Sequence, residues 1–417
     1  MLRDILLLQK REIEQRLQEP YVERDFEIAR AAHDLIKVIL GPRRAGKSFF
    51  AMHLVQGLGR FGYANFDDER LTDFKDYEGL IPAIDSLYGQ PRHLLLDEVQ
   101  NVPRWELLVN RLQRQGYYLT VTGSNAHLLS SELATHLTGR HLPIVLFPFS
   151  FGEYLRSVNR EMTDSEKYQE FLAYVEKGGY PEPLIKGIPH REYLTTLLRS
   201  ILYKDIVVRH RIRTPQGLDD ITAQLMANAA QQYSLNALTK MTGLKSMHTV
   251  QKYLRHIEEA FLLFSLRRFS FKVRDQLRSN RKVYCTDNGM LTSASFRFSA
   301  NAGKLYENAV AVALRKREMQ GALECFYWQS AQQEEVDFVI KKGTEIAQLI
   351  QVCHSLEDPK TKSRETRALL KASAELGCKD LLILTDSMEG EEVTSWYGTE
   401  RTVRYAPLWK WLLQETS

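Results

Sequence analysis

The sequence has little of what marks secreted, membrane-spanning or disordered proteins. Its four cysteines, at positions 285, 325, 353 and 378, form no Cys-x-x-Cys pair, so neither a disulfide framework nor a zinc knuckle is expected. No apolar run approaches the ~18 residues that a membrane helix needs, and residues 5–8 are too short a run for the core of a signal peptide. With only 13 prolines, the chain has no room for a long disordered tail. We therefore expect a soluble protein of the reducing cytoplasm.

The length predicts more than one domain, whereas the overall charge identifies no partner. Compact domains cluster near ~100 to 150 residues, so 417 residues suggest two or three of them. Fifty-six Lys and Arg residues against 52 Asp and Glu residues give a net charge of +4, which is too mild to indicate a polyanionic partner. The distribution of charge along the chain therefore matters more than its sum.

Apolar patterning divides the chain into three regions. Short apolar runs at residues 35–40, 63–66, 93–96, 118–122 and 142–146 alternate with helical stretches, which predicts an α/β domain with a parallel sheet. A mostly helical region follows, and strand and helix patterns alternate again from residue 304 onward. We predict three domains: residues 1–155, 156–292 and 293–417.

A phosphate-binding loop is predicted directly after the first apolar run. Residues 41–48 match the P-loop pattern in full and lie between a predicted strand and a predicted helix. Backbone N–H groups of such a loop surround phosphate oxygens, and the following helix presents its positive end to them. Lys47 should reach the β and γ phosphates of ATP, and the Ser48 hydroxyl should bind Mg²⁺. The predicted nucleotide-binding residues are Gly41, Pro42, Arg43, Arg44, Ala45, Gly46, Lys47 and Ser48.

Two adjacent carboxylates follow the third apolar run. Asp97 is expected to orient Mg²⁺ and its waters, and Glu98 to polarise the water that attacks ATP. An apolar run followed by Asp-Glu is common by itself. Downstream of a complete P-loop, this pair predicts hydrolysis of ATP as well as binding.

Two further positions are candidates for contact with the γ phosphate. The fourth apolar run ends in Thr-Gly-Ser-Asn, where Ser124 or Asn125 can sense the phosphate or position the water; the alternative is an ordinary turn. Arg140 precedes the fifth run and can stabilise transition-state charge in its own subunit or in a neighbouring one, unless it is a solvated surface residue. The predicted catalytic residues are Glu98, Asn125 and Arg140.

These segments resemble the bacterial and archaeal AAA-type ATPases that carry a C-terminal domain of unknown function with a nuclease-like core. The likeness runs nearly end to end and includes GPRRAGKS, LLLDEVQ, TGSN, LTGRHLPIVLFPFSFGEYL, KGGYPEPL, LYKDIVVR, KVYCTDNGML and LYENAVAVAL with EEVDFVI. The resemblance implies an ASCE-class P-loop NTPase domain, then a winged helix, then a degenerate α/β domain like the PD-(D/E)xK nucleases. It also favours the role of Arg140, and it implies action in DNA metabolism, mobile elements or signalling without identifying a substrate.

The middle region combines a helix-turn-helix pattern with excess positive charge. A short helix within residues 233–244 and a second one at 249–263 are followed by runs at 264–271 and 281–285, which predict a hairpin and hence a winged helix. Residues 191–282 contain 17 Lys and Arg against 7 Asp and Glu. The predicted DNA-binding residues are Lys245, His248, Lys252, Arg255, Arg267 and Arg268, with Lys272 and Arg274 on or near the wing. A winged helix that only packs between protein domains is the alternative.

The nuclease fold that the C-terminal region resembles uses a helical Glu, a strand Asp and a Glu-x-Lys to hold Mg²⁺. Glu307 and Asp337 occupy the first two places, but Gln351 and Cys353 stand where the Glu and the Lys belong. A neutral amide binds Mg²⁺ poorly, and a thiol supplies no cation. We therefore predict a scaffold that binds partners or nucleic acid and does not cut DNA.

The features together favour an ATP-hydrolysing protein that binds DNA, including branched or damaged DNA, and couples nucleotide state to DNA binding or remodelling. ATP and Mg²⁺ are the expected cofactors, a homo-oligomer is the expected assembly, and no membrane partner is expected. The alternative is a signalling ATPase whose accessory domains bind protein partners.

Overall fold

A computed structural model describes residues 2–26, 34–71, 77–124, 139–244, 246–294, 302–396 and 398–414. The chain divides into two compact units. The first contains Met1–Phe147 and Glu259–Phe261, and the second contains Pro148–Glu258 and Leu262–Ser417. The first unit has a five-stranded sheet and the second a nine-stranded sheet.

Five short parallel strands form the sheet of the first unit. They are β1 (Ile36–Leu40), β2 (Phe61–Asn65), β3 (His93–Asp97), β4 (Tyr118–Gly123) and β5 (His141–Val145). Every residue of β1 and nearly every residue of β3 and β4 is buried, as expected for parallel strands covered on both faces. The strands lie where the five apolar runs predict them, which confirms the α/β architecture with a parallel sheet.

The strand order β2-β3-β4-β1-β5 determines which loops meet. Strand β4 lies between β1 and β3, so the segments that follow these three strands lie at the same edge of the sheet. The P-loop follows β1 and the Asp-Glu pair ends β3, and the sheet therefore brings them together. The helices of this unit are α1 (Leu2–Arg16), α2 (Lys47–Gln56), α3 (Tyr77–Tyr88) and α4 (Trp105–Arg114), with 3₁₀ turns at Glu69–Leu71 and Val99–Asn101.

Helix α1 is part of the core of this unit. Its Ile13 belongs to the same buried apolar cluster as Ile39 of β1 and Phe50 of α2. The buried amide of Gln9 holds the end of β2, because its Nε2 donates to the carbonyl oxygen of Asn65 at 3.0 Å and its Oε1 accepts from the Asn65 N–H at 2.9 Å. The amphipathic N-terminal segment therefore stabilises the sheet that holds the P-loop.

The second unit begins with helices and contains most of the helical residues that the structure describes. Ser150 with Glu153, and Thr163 with Glu166, form capping boxes that start the first two of these helices. The helices are α5 (Phe151–Val158), α6 (Asp164–Lys177), α7 (Pro181–Lys186), α8 (His190–Ser200), α9 (Pro215–Ala227), α10 (Leu235–Thr242), α11 (Met247–Glu259), α12 (Val273–Arg278), α13 (Asn288–Ala294), α14 (Ala302–Met319), α15 (Pro359–Leu376) and α16 (Leu408–Gln414). A π-type segment, Ile201–Val208, continues α8.

The sheet of the second unit continues across residue 292, which the sequence analysis took as a domain boundary. Its strands are β6 (Gln231–Tyr233), β7 (Leu263–Arg268), β8 (Arg281–Cys285), β9 (Glu324–Gln329), β10 (Glu335–Lys342), β11 (Glu345–Val352), β12 (Leu381–Thr385), β13 (Gly390–Trp396) and β14 (Thr399–Pro407). The order is β13-β14-β12-β11-β10-β9-β7-β8-β6. One side of this sheet packs on α15 in a core that includes Val339, Leu349, Leu369 and Ile383.

The predicted hairpin of the middle region is present but differs from a free wing. Strands β7 and β8 pair antiparallel, and α12 lies between them in the chain. The other edge of β7 pairs in parallel with β9, through Arg267 opposite Phe326. The two hairpin strands are therefore interior strands of a larger sheet. Among the described residues, no helix combines the length and the apolar character that crossing a membrane requires.

Candidate functional site

The P-loop has a backbone conformation that requires glycine at two positions. Gly41 has φ +145° and Gly46 has φ +92°, both in the region where residues with a Cβ are strained. A Cβ on Gly41 would lie 2.0 Å from the carbonyl oxygen of Leu146, which follows β5. Gly46 directly precedes Lys47, the first residue of α2, so the positive end of that helix meets the loop.

A buried ammonium group lies beside the backbone of the P-loop. Lys47 is only 4% exposed, and its Nζ donates to the carbonyl oxygen of Pro42 at 2.9 Å, across the loop. A phosphate oxygen is a stronger acceptor than a peptide carbonyl because it carries negative charge. Arg43 is half-buried and Arg44 is exposed, so the loop also presents two guanidinium groups near its surface.

Asp97 is the centre of a hydrogen-bond network at the end of β3. The Ser48 hydroxyl donates to its Oδ1 at 3.0 Å, and the Thr122 hydroxyl donates to the same oxygen. The Tyr63 hydroxyl donates to Oδ2 at 3.3 Å. The two residues predicted to bind Mg²⁺, Ser48 and Asp97, are therefore adjacent.

Two opposing influences act on the pKa of the Asp97 carboxyl group. Burial raises this pKa most, and the neighbouring charge of Glu98 raises it further. The hydrogen bonds from Thr122 and Ser48 and the charge of Lys47 lower it, but the balance stays above the ordinary value. A divalent cation beside this carboxylate would favour its charged form.

Glu98 leaves the strand in a left-handed backbone conformation, with φ 52° and ψ 48°. Its N–H donates to the Thr122 hydroxyl at 3.0 Å, and its carboxylate accepts from the side-chain amide of Gln100. The same amide lies 3.5 Å from the Ser124 hydroxyl. The structure thus brings Glu98 and Ser124 to one place through Gln100, whereas Asn125 lies outside the described residues.

Four residues of this site were missed by the sequence analysis: Arg24, Tyr63, Gln100 and Thr122. Arg24 is buried, and its guanidinium donates to the carbonyl oxygens of Ala45 at 3.0 Å and of Phe147. Arg24 therefore fixes the P-loop backbone although it belongs to no sequence motif. Thr122 had a detectable signal, since it ends the fourth apolar run. The positions of Arg24, Tyr63 and Gln100 follow only from the fold.

The arrangement fits ATP with Mg²⁺. Mg²⁺ prefers oxygen ligands, and a hydroxyl and a carboxylate oxygen lie together at Ser48 and Asp97. The glycine-containing loop and Lys47 supply N–H groups and a cation for the phosphates. When bound, Mg²⁺ would neutralise charge on the phosphate oxygens.

Arg140 lies at the opposite edge of the sheet from the P-loop of the same chain. Its side chain is exposed, and its carbonyl oxygen accepts from the N–H of Ile36, the first residue of β1, at 3.1 Å. The P-loop follows Leu40, the last residue of β1. Five strand residues span about 16 Å, which exceeds the reach of an arginine side chain. The described structure therefore does not bring Arg140 to the phosphates bound by the same chain.

The family comparisons agree with this geometry. A model described as an AAA domain matches residues 33–155, and models described as domains of unknown function, DUF8612 and DUF4143, match residues 168–301 and 302–408. An uncharacterized protein of Methanocaldococcus jannaschii is 34% identical over 411 residues, which cover 94% of this chain and 91% of the relative. The chain belongs to the AAA-type P-loop ATPase family with a C-terminal DUF4143 domain.

Two other known proteins are similar to this chain at lower identity. An uncharacterized protein of Haemophilus influenzae is 31% identical over 332 residues, covering 75% of this chain and 81% of the relative. The Walker-type ATPase PABY2304 of Pyrococcus abyssi has a TM-score of 0.41 and 15% identity, covering 66% of this chain and 98% of that protein.

The basic residues of the middle region fall into two groups in this AAA-type ATPase. His248, Lys252 and Arg255 are exposed on α11 at spacings of four and three residues, so they share one helix face. Arg267 is exposed on β7, but Arg268 is half-buried and its guanidinium donates to the carbonyl oxygen of Gln329 on β9. Lys245 lies outside the described residues.

One lysine of the basic region is not on the surface. Lys282 on β8 is 1% exposed, and its Nζ lies 2.6 Å from Glu307 Oε1, 2.7 Å from Glu335 Oε1 and 3.0 Å from Asp337 Oδ1. Burial alone would lower the pKa of Lys282, but the surrounding acidic groups hold it well above its ordinary value. The charge surplus of residues 191–282 therefore overstates the positive charge that faces solvent.

The expected nuclease residues meet at this cluster. Burial and the charge of Asp337 raise the pKa of Glu307 to about 8, although Lys282 opposes the shift. Gln351 accepts from the Asp337 N–H at 3.2 Å and donates to Glu365 at 2.7 Å. Cys353 is half-buried, with its Sγ 3.0 Å from the carbonyl oxygen of Ser355. Glu307 and Asp337 both contact Lys282, whereas the sequence analysis did not identify Lys282 or Glu335 as their partners.

Proposed function

We propose that this AAA-type ATPase binds ATP with Mg²⁺, hydrolyses it, and couples its nucleotide state to the binding or remodelling of DNA. The observation that carries the proposal is the convergence of Lys47, Ser48, Asp97 and Glu98 at the end of β1 and β3. Each of these side chains has a distinct part in phosphoryl transfer to water.

The roles follow from the chemistry of each group. Lys47 exchanges its contact with the Pro42 carbonyl for the β and γ phosphates, and Ser48 and Asp97 hold Mg²⁺. Glu98 acts as the base that orients the attacking water. Gln100 donates to the Glu98 carboxylate and so fixes its orientation. Asn125, with Ser124, remains our candidate for contact with the γ phosphate.

Arg140 is proposed to complete the active site of a neighbouring subunit. About 16 Å of strand separates it from the P-loop of its own chain, which argues against a role there, and its exposure leaves the guanidinium available to another copy. Charge from an arginine stabilises the transition state of phosphoryl transfer. The proposal therefore includes a homo-oligomer in which each ATP lies between two subunits.

The exposed basic face of α11 is proposed as the main DNA contact. α10 and α11 are consecutive helices followed by the β7–β8 hairpin, an order typical of winged helices. The charge for phosphate contacts comes from His248, Lys252 and Arg255. Arg267 and Lys245 are additional candidates. Arg268 has a smaller part in this interface, because its guanidinium is bound to the backbone of β9.

One observation favours a protein partner as the second candidate. Phe271, Val273 and Leu277, in and beside α12, are 73%, 68% and 60% exposed. Exposed apolar side chains that lie close together mark interaction sites. In this alternative the middle region recognises a protein, and ATP controls assembly of a signalling complex.

The experiment that distinguishes these functions measures ATP hydrolysis with no DNA, duplex DNA, single-stranded DNA and a four-way junction, each at several salt concentrations. DNA binding coupled to ATP predicts stimulation that weakens as salt rises, because counterions compete for the phosphates. The Glu98→Gln variant controls for a contaminating ATPase. Hydrolysis that no DNA changes, together with a nucleotide-dependent change in particle mass, would favour the protein-partner alternative.

A further inference from the structure

The likeness of the C-terminal region to metal-dependent nucleases implies a divalent cation at Glu307 and Asp337. The residues present do not fit that ion. We infer that the ammonium group of Lys282 takes the place of the divalent cation, so that this carboxylate centre is held together by an internal cation and binds no Mg²⁺. Residues Lys282, Glu307, Glu335 and Asp337 are called the Lys282 centre below.

The geometry of Lys282 accounts for the whole hydrogen-bonding capacity of an ammonium group. Nζ carries three N–H donors, and three carboxylates lie within 3.0 Å of it. These carboxylates come from α14 and from β10, so the lysine on β8 joins the helix to a strand that is not its neighbour in the sheet. An ion pair this deeply buried requires all its partners, since an unpaired buried charge is costly.

Two of the three carboxylates are also bound through their second oxygen, and the third has a second donor on the oxygen that contacts Lys282. Glu335 Oε2 accepts from the Gln232 amide at 2.7 Å, and Asp337 Oδ2 accepts from the Val352 N–H at 3.0 Å. Glu307 Oε1, the oxygen that contacts Lys282, also accepts from the Tyr284 hydroxyl at 2.7 Å. Mg²⁺ requires about six oxygen ligands near 2.1 Å in octahedral geometry. Binding it would break several of these hydrogen bonds.

Electrostatic repulsion also disfavours a divalent cation at the Lys282 centre. A divalent cation bound to Glu307 and Asp337 would lie within a few ångströms of the Lys282 ammonium, and two cations at that distance repel strongly in a buried site. Lys282 contacts all three carboxylates, so moving its ammonium group away would leave them to repel one another. Lys282 and a divalent cation are therefore alternatives for one position.

The third expected ligand position supports this assignment. Gln351 stands where the related nucleases have a carboxylate, and both ends of its amide are used, by the Asp337 N–H and by Glu365. One anionic ligand is thus replaced by an amide that serves the protein itself. Lys282 adds a positive charge to the site, and Gln351 is neutral where the nuclease pattern has a carboxylate. Both differences reduce the negative charge that a metal ion would neutralise.

The test measures Mn²⁺ binding to the full-length protein without nucleotide. All variants carry Asp97→Asn, which removes the carboxylate ligand that we assign to the metal of the ATP site. The background protein and its Asp337→Asn variant should bind Mn²⁺ equally weakly in electron paramagnetic resonance titrations. Mn²⁺ that binds to the background protein and is lost in Asp337→Asn would overturn the inference, and this comparison leaves Lys282 intact.

Removing the lysine should create the metal site. Lys282→Met should lower the melting temperature without metal and bind one Mn²⁺ per chain at least tenfold more tightly than the background, with the melting temperature rising as Mn²⁺ is added. Lys282→Met combined with Asp337→Asn is the matched control and should show neither gain. A folded Lys282→Met protein that gains no Mn²⁺ binding would show that the ammonium does not hold a cation position.

A cleavage assay provides an independent readout. The unmodified protein with Mg²⁺ or Mn²⁺ should leave supercoiled, linear and branched DNA intact, with or without ATP. Cleavage that disappears in Asp337→Ala but persists in Lys47→Ala would overturn the inference, because it would show a working metal site beside Lys282. The Lys47→Ala arm separates this outcome from effects of ATP hydrolysis.

Discussion

The Ser48 hydroxyl donates a 3.0 Å hydrogen bond to Asp97 Oδ1, across 49 residues of sequence. This bond joins the first turn of α2 to the end of β3, so the two expected Mg²⁺ ligands are adjacent. Thr122 on β4 donates to the same carboxylate and fixes it from the strand between β1 and β3. The nucleotide site is therefore preorganised by the strand order of the sheet.

Lys47 and Glu98 should affect different steps. Lys47→Ala should weaken ATP binding, since it removes the cation beside the phosphates. Glu98→Gln should still bind ATP but hydrolyse it about 100-fold more slowly or worse, because a general base contributes roughly that factor. Binding of a fluorescent ATP analogue and release of phosphate measure the two steps separately.

The matched control for this pair is Glu14→Gln, which removes an exposed carboxylate of α1. It should leave both binding and hydrolysis unchanged. Hydrolysis by Glu98→Gln at the rate of the unmodified protein would show that another group orients the water.

Arg140 should act between subunits. Arg140→Ala and Lys47→Ala should each be inactive alone, because one lacks the arginine and the other lacks the phosphate-binding lysine. Mixing them should restore part of the hydrolysis, since some interfaces then combine an intact P-loop with an intact Arg140. Phosphate release is compared with the fraction of mixed oligomers measured by native mass spectrometry. Mixed oligomers with no recovery would contradict this assignment.

The sequence predicted the first unit well because its signals are local. Each strand of the parallel sheet coincides with a short apolar run. The P-loop pattern requires glycine at positions 41 and 46, and both residues have the positive φ that favours glycine. The second unit was less predictable. Its β7–β9 pairing joins segments about sixty residues apart by sheet geometry alone, which no local pattern encodes.

The Lys282 centre likewise could not be predicted from local sequence patterns. A lysine in a basic segment looks like a surface residue, and the sequence analysis counted Lys282 toward a DNA-binding surface. Its carboxylate partners come from α14 and β10, so their proximity depends on how the nine-stranded sheet is assembled. Arg24 is a similar case, since it holds the P-loop carbonyl of Ala45 without belonging to any motif.

The basic face of α11 should contribute to DNA affinity through charge. Replacing Lys252 and Arg255 by Ala should weaken binding to duplex DNA and reduce the slope of log K against log salt by about 1.8, at about 0.9 for each phosphate contact. ATP hydrolysis without DNA should persist. Fluorescence anisotropy across a salt series measures both quantities.

The control variant should carry the same change in net charge at a distant part of the sequence. Lys342→Ala with Lys379→Ala removes two exposed lysines outside the basic region. If both double variants reduce the slope equally, or if neither does, the contact is not on α11.

Asp287 should make the stability of the second unit depend on pH. This carboxyl group is 5% exposed and accepts from the N–H groups of Gly179 at 2.7 Å and Met290 at 3.2 Å. Burial raises its pKa from 3.8 to about 6, although these hydrogen bonds oppose the shift. The folded state therefore holds a proton on Asp287 at pH values where the unfolded state has lost it, so this group favours folding at low pH.

The free energy of unfolding that Asp287 contributes should fall as pH rises from about 4 to about 6, by about 3 kcal/mol for a shift of about two units. Asp287→Asn should lose this dependence, since its amide does not titrate, and should be less stable at pH 4 because an amide cannot accept on both sides. Urea unfolding of the second unit at pH 4 to 7 should show the stability advantage of the unmodified protein over Asp287→Asn shrinking by that amount. The exposed variant Asp275→Asn should show no such trend. An advantage that stays constant or grows over this range would mean that Asp287 is already ionised in the folded protein at pH 4, and that its hydrogen bonds outweigh burial.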